Sequence, residues 1–280
     1  MKQDNEKSIL LALQNIELDM LKHTINICEK LNLKYYLLGG TLLGAVRHGG
    51  FIPWDDDIDI GMPREDYEIF IKEAQKYYPD NMFVQHYTTE RNMPVPWCKI
   101  RRSDTAFMEI NIRRVKMNKG IFIDVFPLDY YPETEKQRRY IHEKDLLLKS
   151  VMLRKLFPPS PGIKNTVASI KHKIKTHFIT FRTSVKKRDL LHRTYREGTK
   201  IANYNGAWGE KEIVPAEWYG DGAILTFEGI KCRVPVEYDK WLTQVYGDYM
   251  TLPPEEKRIT HHETDYIDTK KSYLEYEAMK

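Results

Sequence analysis

A dense run of acidic residues is the feature of this sequence with the clearest chemical potential; it consists of Asp55, Asp56, Asp57 and Asp59. If these residues form a strand, Asp55, Asp57 and Asp59 share one face, because alternate side chains point the same way. Carboxylates at that spacing lie about 7 Å apart, and each like-charged pair costs roughly 2 kcal/mol at an effective dielectric near 20. A hard divalent cation that binds carboxylate oxygens offsets this cost. We therefore predict a metal site on a strand, with a solvated acidic turn as the alternative.

A glycine-rich corner precedes the acidic run. A short strand predicted over residues 35–38 leads into Gly40 and Thr41, then into a helical turn. At the start of such a turn, backbone amides and a hydroxyl can approach phosphate oxygens. Arg47 then follows as a candidate clamp on a diphosphate, and His48 as a second donor. The spacing fits neither a Walker loop nor a dinucleotide fingerprint, and a glycine corner can also serve a purely steric purpose.

A further carboxylate falls in a strand predicted over residues 120–132. Asp124 lies there between Phe122 and Phe126. A buried aspartate among aromatic side chains is costly unless it is paired or binds a metal. The residues alone leave two interpretations of Asp124 open, a metal ligand or a structural acid bonded to a backbone amide. Asp129, beyond a proline, is expected to cap a turn.

Two cations share a face of the strand predicted over residues 97–101. Alternation places Lys99 and Arg101 on one side and Cys98 and Ile100 on the other. Two cations on one face suit a phosphate-rich ligand, and Lys99 is our candidate contact. The alternative is an exposed sheet face on which these side chains meet only solvent.

The stretch GGTLLGAVRHGGFIPWDDDID, residues 39–59, closely resembles the signature of the LicD family, phosphocholine transferases distantly related to the fukutin-related proteins. The blocks at 97–130 and 224–250 are similar to the family more loosely. This resemblance implies an α+β, nucleotidyltransferase-like fold, with a mixed β-sheet flanked by helices. It also implies that Asp57, Asp59 and Asp124 hold Mg²⁺, with Mn²⁺ as an alternative ion.

The resemblance further implies the reaction. The donor would be a CDP-activated alcohol, with CDP-choline resting wholly on the family, and the acceptor a glycan or glycolipid of lipopolysaccharide or teichoic acid type. A hydroxyl of the acceptor would attack the distal phosphorus in line, and CMP would leave. In such phosphoryl chemistry most of the catalysis is positioning and charge neutralisation. Either Asp124 or Asp55 could take the hydroxyl proton, and the residues alone do not choose between them.

Two other functions remain open at this point. Asp57-Ile58-Asp59 is also the Asp-x-Asp pattern of glycosyltransferases that hold a nucleotide sugar through a divalent ion. A non-catalytic protein that binds membrane surfaces is the second alternative. The released nucleotide would distinguish glycosyl transfer from phospho-alcohol transfer. Glycosyl transfer leaves a nucleoside diphosphate, whereas phospho-alcohol transfer leaves CMP.

The basic segment underlies the membrane alternative. Residues 149–200 contain 14 lysines and arginines against 2 acids, whereas the whole chain carries only +4. Apolar residues interleaved near helical spacing predict a basic amphipathic helix, which can lie on an anionic membrane or simply present a solvated face. No nucleic-acid-binding motif accompanies the charge, so we expect no nucleic-acid partner. We divide the chain into a catalytic core (1–148), a basic helical insertion (149–202) and a hairpin and helix that complete the core (203–280).

Composition supports a folded protein of a reducing compartment. Of the 280 residues, 41% are hydrophobic, which is enough for a substantial core. The three cysteines are widely spaced and predict neither disulfides nor a zinc site. The first residues lack the apolar stretch of a signal peptide, so we expect a cytoplasmic protein. If the basic segment binds lipid, the protein would be peripheral at the inner face of the plasma membrane. Adjacent His261 and His262 should point apart, and we expect no metal site there.

Overall fold

The computed structural model describes residues 2–156, 170, 176–177 and 179–277. Its helices are α1 Lys2–Leu31, α2 Gly39–Arg47, α3 Arg64–Glu73, α4 Glu135–Leu156, α5 Phe181–His192, α6 Tyr238–Tyr246 and α7 Tyr273–Glu277. Its strands are β1 Tyr36–Leu37, β2 Asp59–Pro63, β3 Met82–Gln85, β4 Cys98–Arg102, β5 Ala106–Glu109, β6 Ile121–Tyr130, β7 Lys200–Ala202, β8 Ile213–Pro215, β9 Ala223–Phe227, β10 Ile230–Val234 and β11 Thr264–Asp268. The α+β prediction is confirmed.

Strand β6 organises the main sheet, which has seven strands in the described part of the chain. Its order is β1-β2-β6-β4-β3, and the far end of β6 pairs with β7, which pairs with β8. The β2–β6 pair is parallel and sets Asp59 opposite Asp124. The neighbouring β4–β6 pair is antiparallel and sets Lys99 opposite Asp124. The sheet therefore brings three charged residues from three adjacent strands to one row.

Helix α1 packs its apolar stripe against this sheet. Leu13, Met20 and Ile27 are buried at helical spacing. The helix ends where Asn32 adopts a positive φ of 54° and the amide of Leu33 reaches back to the carbonyl of Cys28. The burial of this stripe supplies most of the stability of such a helix, because propensity alone contributes little.

The prediction of a strand through Asp55 and Asp57 is wrong. Strand β2 begins only at Asp59, and the preceding residues 53–58 form a turn and a loop. The amide of Asp55 bonds to the carbonyl of Ile52 at 2.9 Å, which closes the turn. Pro53 has no amide hydrogen to give to a strand ladder. The acidic side chains are therefore arranged by a loop rather than by alternation along a strand.

A buried ion-pair network joins the sheet to helices α3 and α5. The Arg64 guanidinium donates to both carboxylate oxygens of Asp129, at 2.7 and 2.6 Å, and to Asp189 at 2.8 Å. Burial opposes the charge of Arg64, but Asp129 and then Asp189 raise its pKa overall. The expectation that Asp129 caps a turn is therefore wrong, because its carboxylate is committed to this arginine.

Helices α4 and α5 carry the described part of the basic segment. Asp145 accepts hydrogen bonds from the guanidinium of Arg188, at 2.7 Å, and from His192 Nε2, at 2.6 Å, and so clamps the two helices together. Helix α4 runs continuously across the predicted boundary at 148/149, and residues 200–202 return to the main sheet as β7, so the threefold division stays a prediction. Residues 157–169, 171–175 and 178, with most of the predicted amphipathic helix, lie outside the described residues.

No helix in the described ranges combines the length and apolar character that crossing a bilayer requires.

Candidate active site

The acidic residues gather where β2 and β6 run side by side. Asp59 and Asp124 face each other across this parallel pair. The loop that enters β2 adds Asp55, Asp56 and Asp57, whose carboxylates each place one oxygen within 4.8 Å of the others. Asp55, Asp56 and Asp124 are buried, and Asp57 and Asp59 are half-buried. The structure therefore assembles all four predicted acids, although two of them arrive from the loop.

Asp55, Asp57 and Asp59 are the acids of this cluster that resist ionisation. Burial, followed by repulsion from neighbouring carboxylates, raises the pKa of Asp55 and of Asp59 well above the ordinary range. Burial is also the largest influence on Asp57, whose pKa is raised as well. Such a group of carboxylates gains more from a cation than isolated surface acids do, because the ion removes both repulsion and desolvation costs.

Glu17 on α1 is a sixth carboxyl at this site, and the sequence analysis missed it. It is 1% exposed, and its Oε2 has no hydrogen-bond partner among the described residues. Burial and then repulsion by Asp57 and its neighbours raise its pKa well above the ordinary value. The one signal in the sequence was its position, since a glutamate on the same helical face as Leu13 and Met20 interrupts an apolar stripe.

The donor set fits a hard divalent ion. All candidate ligands are carboxylate oxygens, which Mg²⁺ and Mn²⁺ prefer over soft metals. The unpartnered oxygen of Glu17 is the kind of buried polar atom that a bound ion or its water would satisfy. Asp57, Asp59 and Asp124 remain our candidates to hold the ion, with Asp55 beside them.

Asp124 already has two partners in this structure. Its Oδ1 accepts from Trp97 Nε1 at 2.6 Å, and its Oδ2 accepts from Lys99 Nζ at 2.9 Å. A carboxylate offers about four lone-pair sites, so an ion bound to Asp124 would share its oxygens with these donors or displace them. Trp97 is therefore part of the site, and the sequence analysis did not single it out.

Lys99 does not lie on an exposed sheet face, and that alternative is wrong. The side chain is buried, and its ammonium lies 3.4 Å from the centroid of the Phe122 ring while it pairs with Asp124. Both contacts stabilise a charge that burial would otherwise disfavour. Lys99 is thus held beside the acids. A ligand phosphate could contact its ammonium group only if the phosphate also lay next to Asp124.

The glycine corner makes room for the acids. A Cβ added at Gly40 would lie 2.5 Å from Asp55 Oδ2, and one at Gly39, whose φ is +53°, would lie 2.8 Å from Asp59 Oδ2. The Thr41 hydroxyl accepts from the amide of Asp59 at 2.8 Å. The first turn of α2 is therefore packed against two carboxylates, and its positive end favours their negative charge.

Gly40→Ala is expected to displace the Asp55 carboxylate and to lower turnover by about 100-fold, because misplacing a group by about 1 Å can cost that much. Steady-state assays of the purified variant would measure this. Gly49→Asn is the matched control, since a Cβ there meets nothing within 4 Å and asparagine tolerates its positive φ of 69°. Equal losses in both variants would contradict the steric role of Gly40.

Arg47 and His48 lie at the other end of α2. Arg47 follows Gly40 by seven helical steps, which is about 10 Å along the axis. Arg47 Nη1 donates to the carbonyl of Tyr249 at 2.7 Å, and Nε donates to His48 Nε2 at 3.0 Å. Burial, and then Arg47, lower the pKa of His48, so its imidazole is the neutral acceptor. A ligand that touches both ends of α2 must therefore be extended.

The C-terminal histidines return to the acidic loop, which the sequence analysis did not foresee. The Asp56 carboxylate accepts from the amides of His261 and His262, at 3.1 and 3.2 Å, and from His262 Nδ1 at 3.3 Å. Burial opposes its charge, but these bonds hold the pKa of Asp56 below its usual range. The His262 ring packs edge-on against Phe107 and Phe122. Asp56 therefore holds the acidic loop in place through its bonds to His261 and His262. The neighbouring acids of the loop, Asp55 and Asp57, remain the candidate metal ligands.

Known proteins of one family are similar to this chain. The family described as LicD/FKTN/FKRP, nucleotidyltransferase domain, matches residues 32–161, which contain the acidic loop, β2 and β6. The lipopolysaccharide cholinephosphotransferase LicD of Haemophilus influenzae is 32% identical over 273 residues, which are 92% of this chain and 97% of that protein. The human ribitol 5-phosphate transferase FKRP is 47% identical over 45 residues, 16% of this chain and 9% of that protein.

The match to LicD extends over nearly the full length of both proteins, and the mixed sheet fits a nucleotidyltransferase-like fold. The chain therefore belongs to the LicD family and is a phosphotransferase of the LicD type.

Proposed function

We propose that this enzyme transfers phosphocholine from CDP-choline to a hydroxyl of a cell-surface glycan or glycolipid precursor, of lipopolysaccharide or teichoic acid type, and releases CMP. The observation that carries the proposal is the cluster of carboxylates around the Asp59–Asp124 pair, in a chain similar to a lipopolysaccharide cholinephosphotransferase over almost its whole length. Carboxylates on adjacent strands suit a reaction in which a cation neutralises phosphate charge.

We assign Mg²⁺ to Asp57, Asp59 and Asp124, with Mn²⁺ as the alternative ion. A bound ion would supply charge neutralisation at the diphosphate of the donor. The protein supplies the rest: Lys99 and Trp97 orient the Asp124 carboxylate, and the first turn of α2 holds the acidic loop. Most of the catalytic effect in phosphoryl transfer comes from such positioning.

The acceptor hydroxyl must lose a proton as it attacks the phosphorus. Asp124 and Asp55 are the two candidates to receive it. Both oxygens of Asp124 already accept hydrogen bonds, from Trp97 and Lys99. We therefore favour Asp55, whose carboxylate lies against Gly40 at the start of α2.

The phosphate contacts we propose lie at the two ends of α2. Gly40 and Thr41 border the acids, and Thr41 keeps its hydroxyl proton free to donate, because its oxygen acts as the acceptor for the Asp59 amide. Arg47 and His48 lie about 10 Å away along the helix. An extended nucleotide or glycan could reach from one end to the other.

The direct test is to incubate the purified chain with CDP-choline, a lipopolysaccharide oligosaccharide acceptor and Mg²⁺, and to identify the released nucleotide. CMP together with a phosphocholine-bearing product is expected. Parallel reactions with UDP- and GDP-sugars test the glycosyltransferase alternative, for which the Asp-x-Asp pattern remains the only support. Release of a nucleoside diphosphate, with no CMP from CDP-choline, would overturn the proposal.

We also propose peripheral contact with an anionic membrane, where a glycolipid acceptor would be found. Among the described residues, Leu146 and Leu153 are exposed on one face of α4, and Lys149 lies between them. Apolar side chains flanked by cations suit an anionic bilayer surface. Flotation with anionic vesicles, and none with neutral ones, is expected; equal behaviour with both would contradict this contact.

A further inference from the structure

A pocket of about 180 Å³ lies beside the acidic cluster. One wall comes from the segment before β4, including Trp97, and the others come from α4, α5 and the loop after β7. The Trp97 side chain is shared, because it lines the pocket and donates its indole hydrogen to Asp124 at 2.6 Å. A ligand in this pocket is therefore separated from a candidate metal ligand by a single side chain.

Three buried polar atoms in this part of the protein lack a hydrogen-bond partner among the described residues. They are both amide atoms of Asn205, Nδ2 and Oδ1, and the hydroxyl of Tyr204. Both residues line the pocket. Folded proteins satisfy most buried polar groups, so an amide with both ends unpaired indicates a missing ligand or water.

The loop that carries Asn205 is held by other residues. The Glu212 carboxylate accepts from Asn203 Nδ2 and from the amide of Trp208, each at 2.9 Å. Asn203 Oδ1 in turn accepts from the amide of Asn205 at 3.2 Å. A Cβ at Gly206 would lie 2.0 Å from Glu212 Oε1, so this packing depends on a glycine. The Asn205 side chain is therefore not needed to hold its own loop.

We propose that this pocket binds the pyrimidine base of the donor nucleotide and that Asn205 reads its hydrogen-bonding edge. The inference rests on the proposed function, in which the donor is a cytidine diphosphate. The Asn205 amide is closed off from solvent in this structure, so on binding it must turn toward the pocket. There Oδ1 accepts from the exocyclic amine of cytosine and Nδ2 donates to the ring nitrogen beside it, which pairs both amide atoms. Trp97 and Tyr204 provide aromatic surface against the base.

The charges of the pocket favour the base over the choline end of the donor. Its described lining includes the cations Lys149 and Arg188 but no carboxylate. A quaternary ammonium group requires aromatic faces without competing cations, so it suits this lining poorly. The Tyr204 ring is also fixed, because it stacks on His192 with a centroid distance of 4.5 Å and an interplanar angle of 9°.

The test is calorimetric titration of the full chain and of Asn205→Leu with CMP, with CDP-choline and with ribose 5-phosphate, each with Mg²⁺. Asn205→Leu is expected to weaken CMP binding about 10-fold or more, as loss of a bidentate contact to a base does. Its affinity for ribose 5-phosphate should be unchanged, because that ligand has no base. Its melting temperature should equal or exceed that of the wild type, because a buried unpaired amide is removed.

The matched control is Asn15→Leu, which changes an exposed asparagine whose amide bonds only within α1, to the carbonyl of Leu11. It should bind both ligands as the wild type does. If the wild type binds CMP and Asn205→Leu binds it equally well, the pocket assignment is overturned while the proposed function stands. If the wild type binds neither CMP nor CDP-choline, both are overturned.

Discussion

Asp59→Asn should lower turnover with CDP-choline by about 10³-fold, while the metal-free protein becomes no less stable. Asp59 stands opposite Asp124 in the β2–β6 pair, and repulsion from Asp57, Asp124 and Asp55 adds to burial in raising its pKa. Asparagine keeps the shape of the side chain but removes the charge that would hold an ion. Loss of activity without loss of stability separates a ligand role from general damage to the fold.

Kinetic assays over a range of Mg²⁺ concentrations and thermal melts without metal would measure the two effects. Asp221→Asn is the control, because Asp221 is an exposed aspartate, with 94% of its side chain accessible, paired with Lys34. It should retain wild-type turnover. Near-normal Mg²⁺-dependent turnover of Asp59→Asn would contradict the assignment of Asp59 as a ligand.

The stability of the metal-free protein should fall as pH rises above the ordinary carboxyl pKa of about 4. The pKa values of Glu17, Asp55 and Asp59 are raised in the folded state, mainly by burial. The folded protein therefore holds protons that the unfolded chain releases. Their contribution is fully present below the unfolded pKa and is lost as pH passes through the raised values. Thermal melts in EDTA between pH 5 and 8 would show this decline.

Mg²⁺ should reverse this loss near pH 8 and have little effect near pH 5, where protons compete for the same oxygens. At 100 times its dissociation constant the ion adds about 2.7 kcal/mol. This corresponds to a rise in melting temperature on the order of 5–10 °C for a chain of this size. Asp59→Asn should show a smaller rise. A Mg²⁺ effect that is equal at both pH values, or equal in the variant, would contradict the proposed ion site.

Local patterns in the chain were sufficient to find most of the acids. The spacing of Asp55 to Asp59, the glycine corner and the aspartate between two phenylalanines are all contained within short stretches, and such patterns report what neighbours in sequence must do. The family resemblance grouped Asp124 with Asp57 and Asp59, and the structure sets Asp124 opposite Asp59 in a parallel strand pair that no local pattern predicted. The prediction of a strand through Asp55 and Asp57 was wrong, because the alternation of residue types does not show that the Asp55 amide bonds to the carbonyl of Ile52 and forms a turn.

Tertiary structure alone decided how those acids are held. Asp56 is bonded to His262 across 206 residues of chain, and Glu17 reaches the cluster from the first helix. The partners of Asp124, Lys99 and Trp97, come from a strand that meets β6 only in the folded sheet. The types of residue that can bind a cation were therefore evident from the sequence by itself. Their geometry depends on hydrogen bonds and burial between distant segments, which no local pattern encodes.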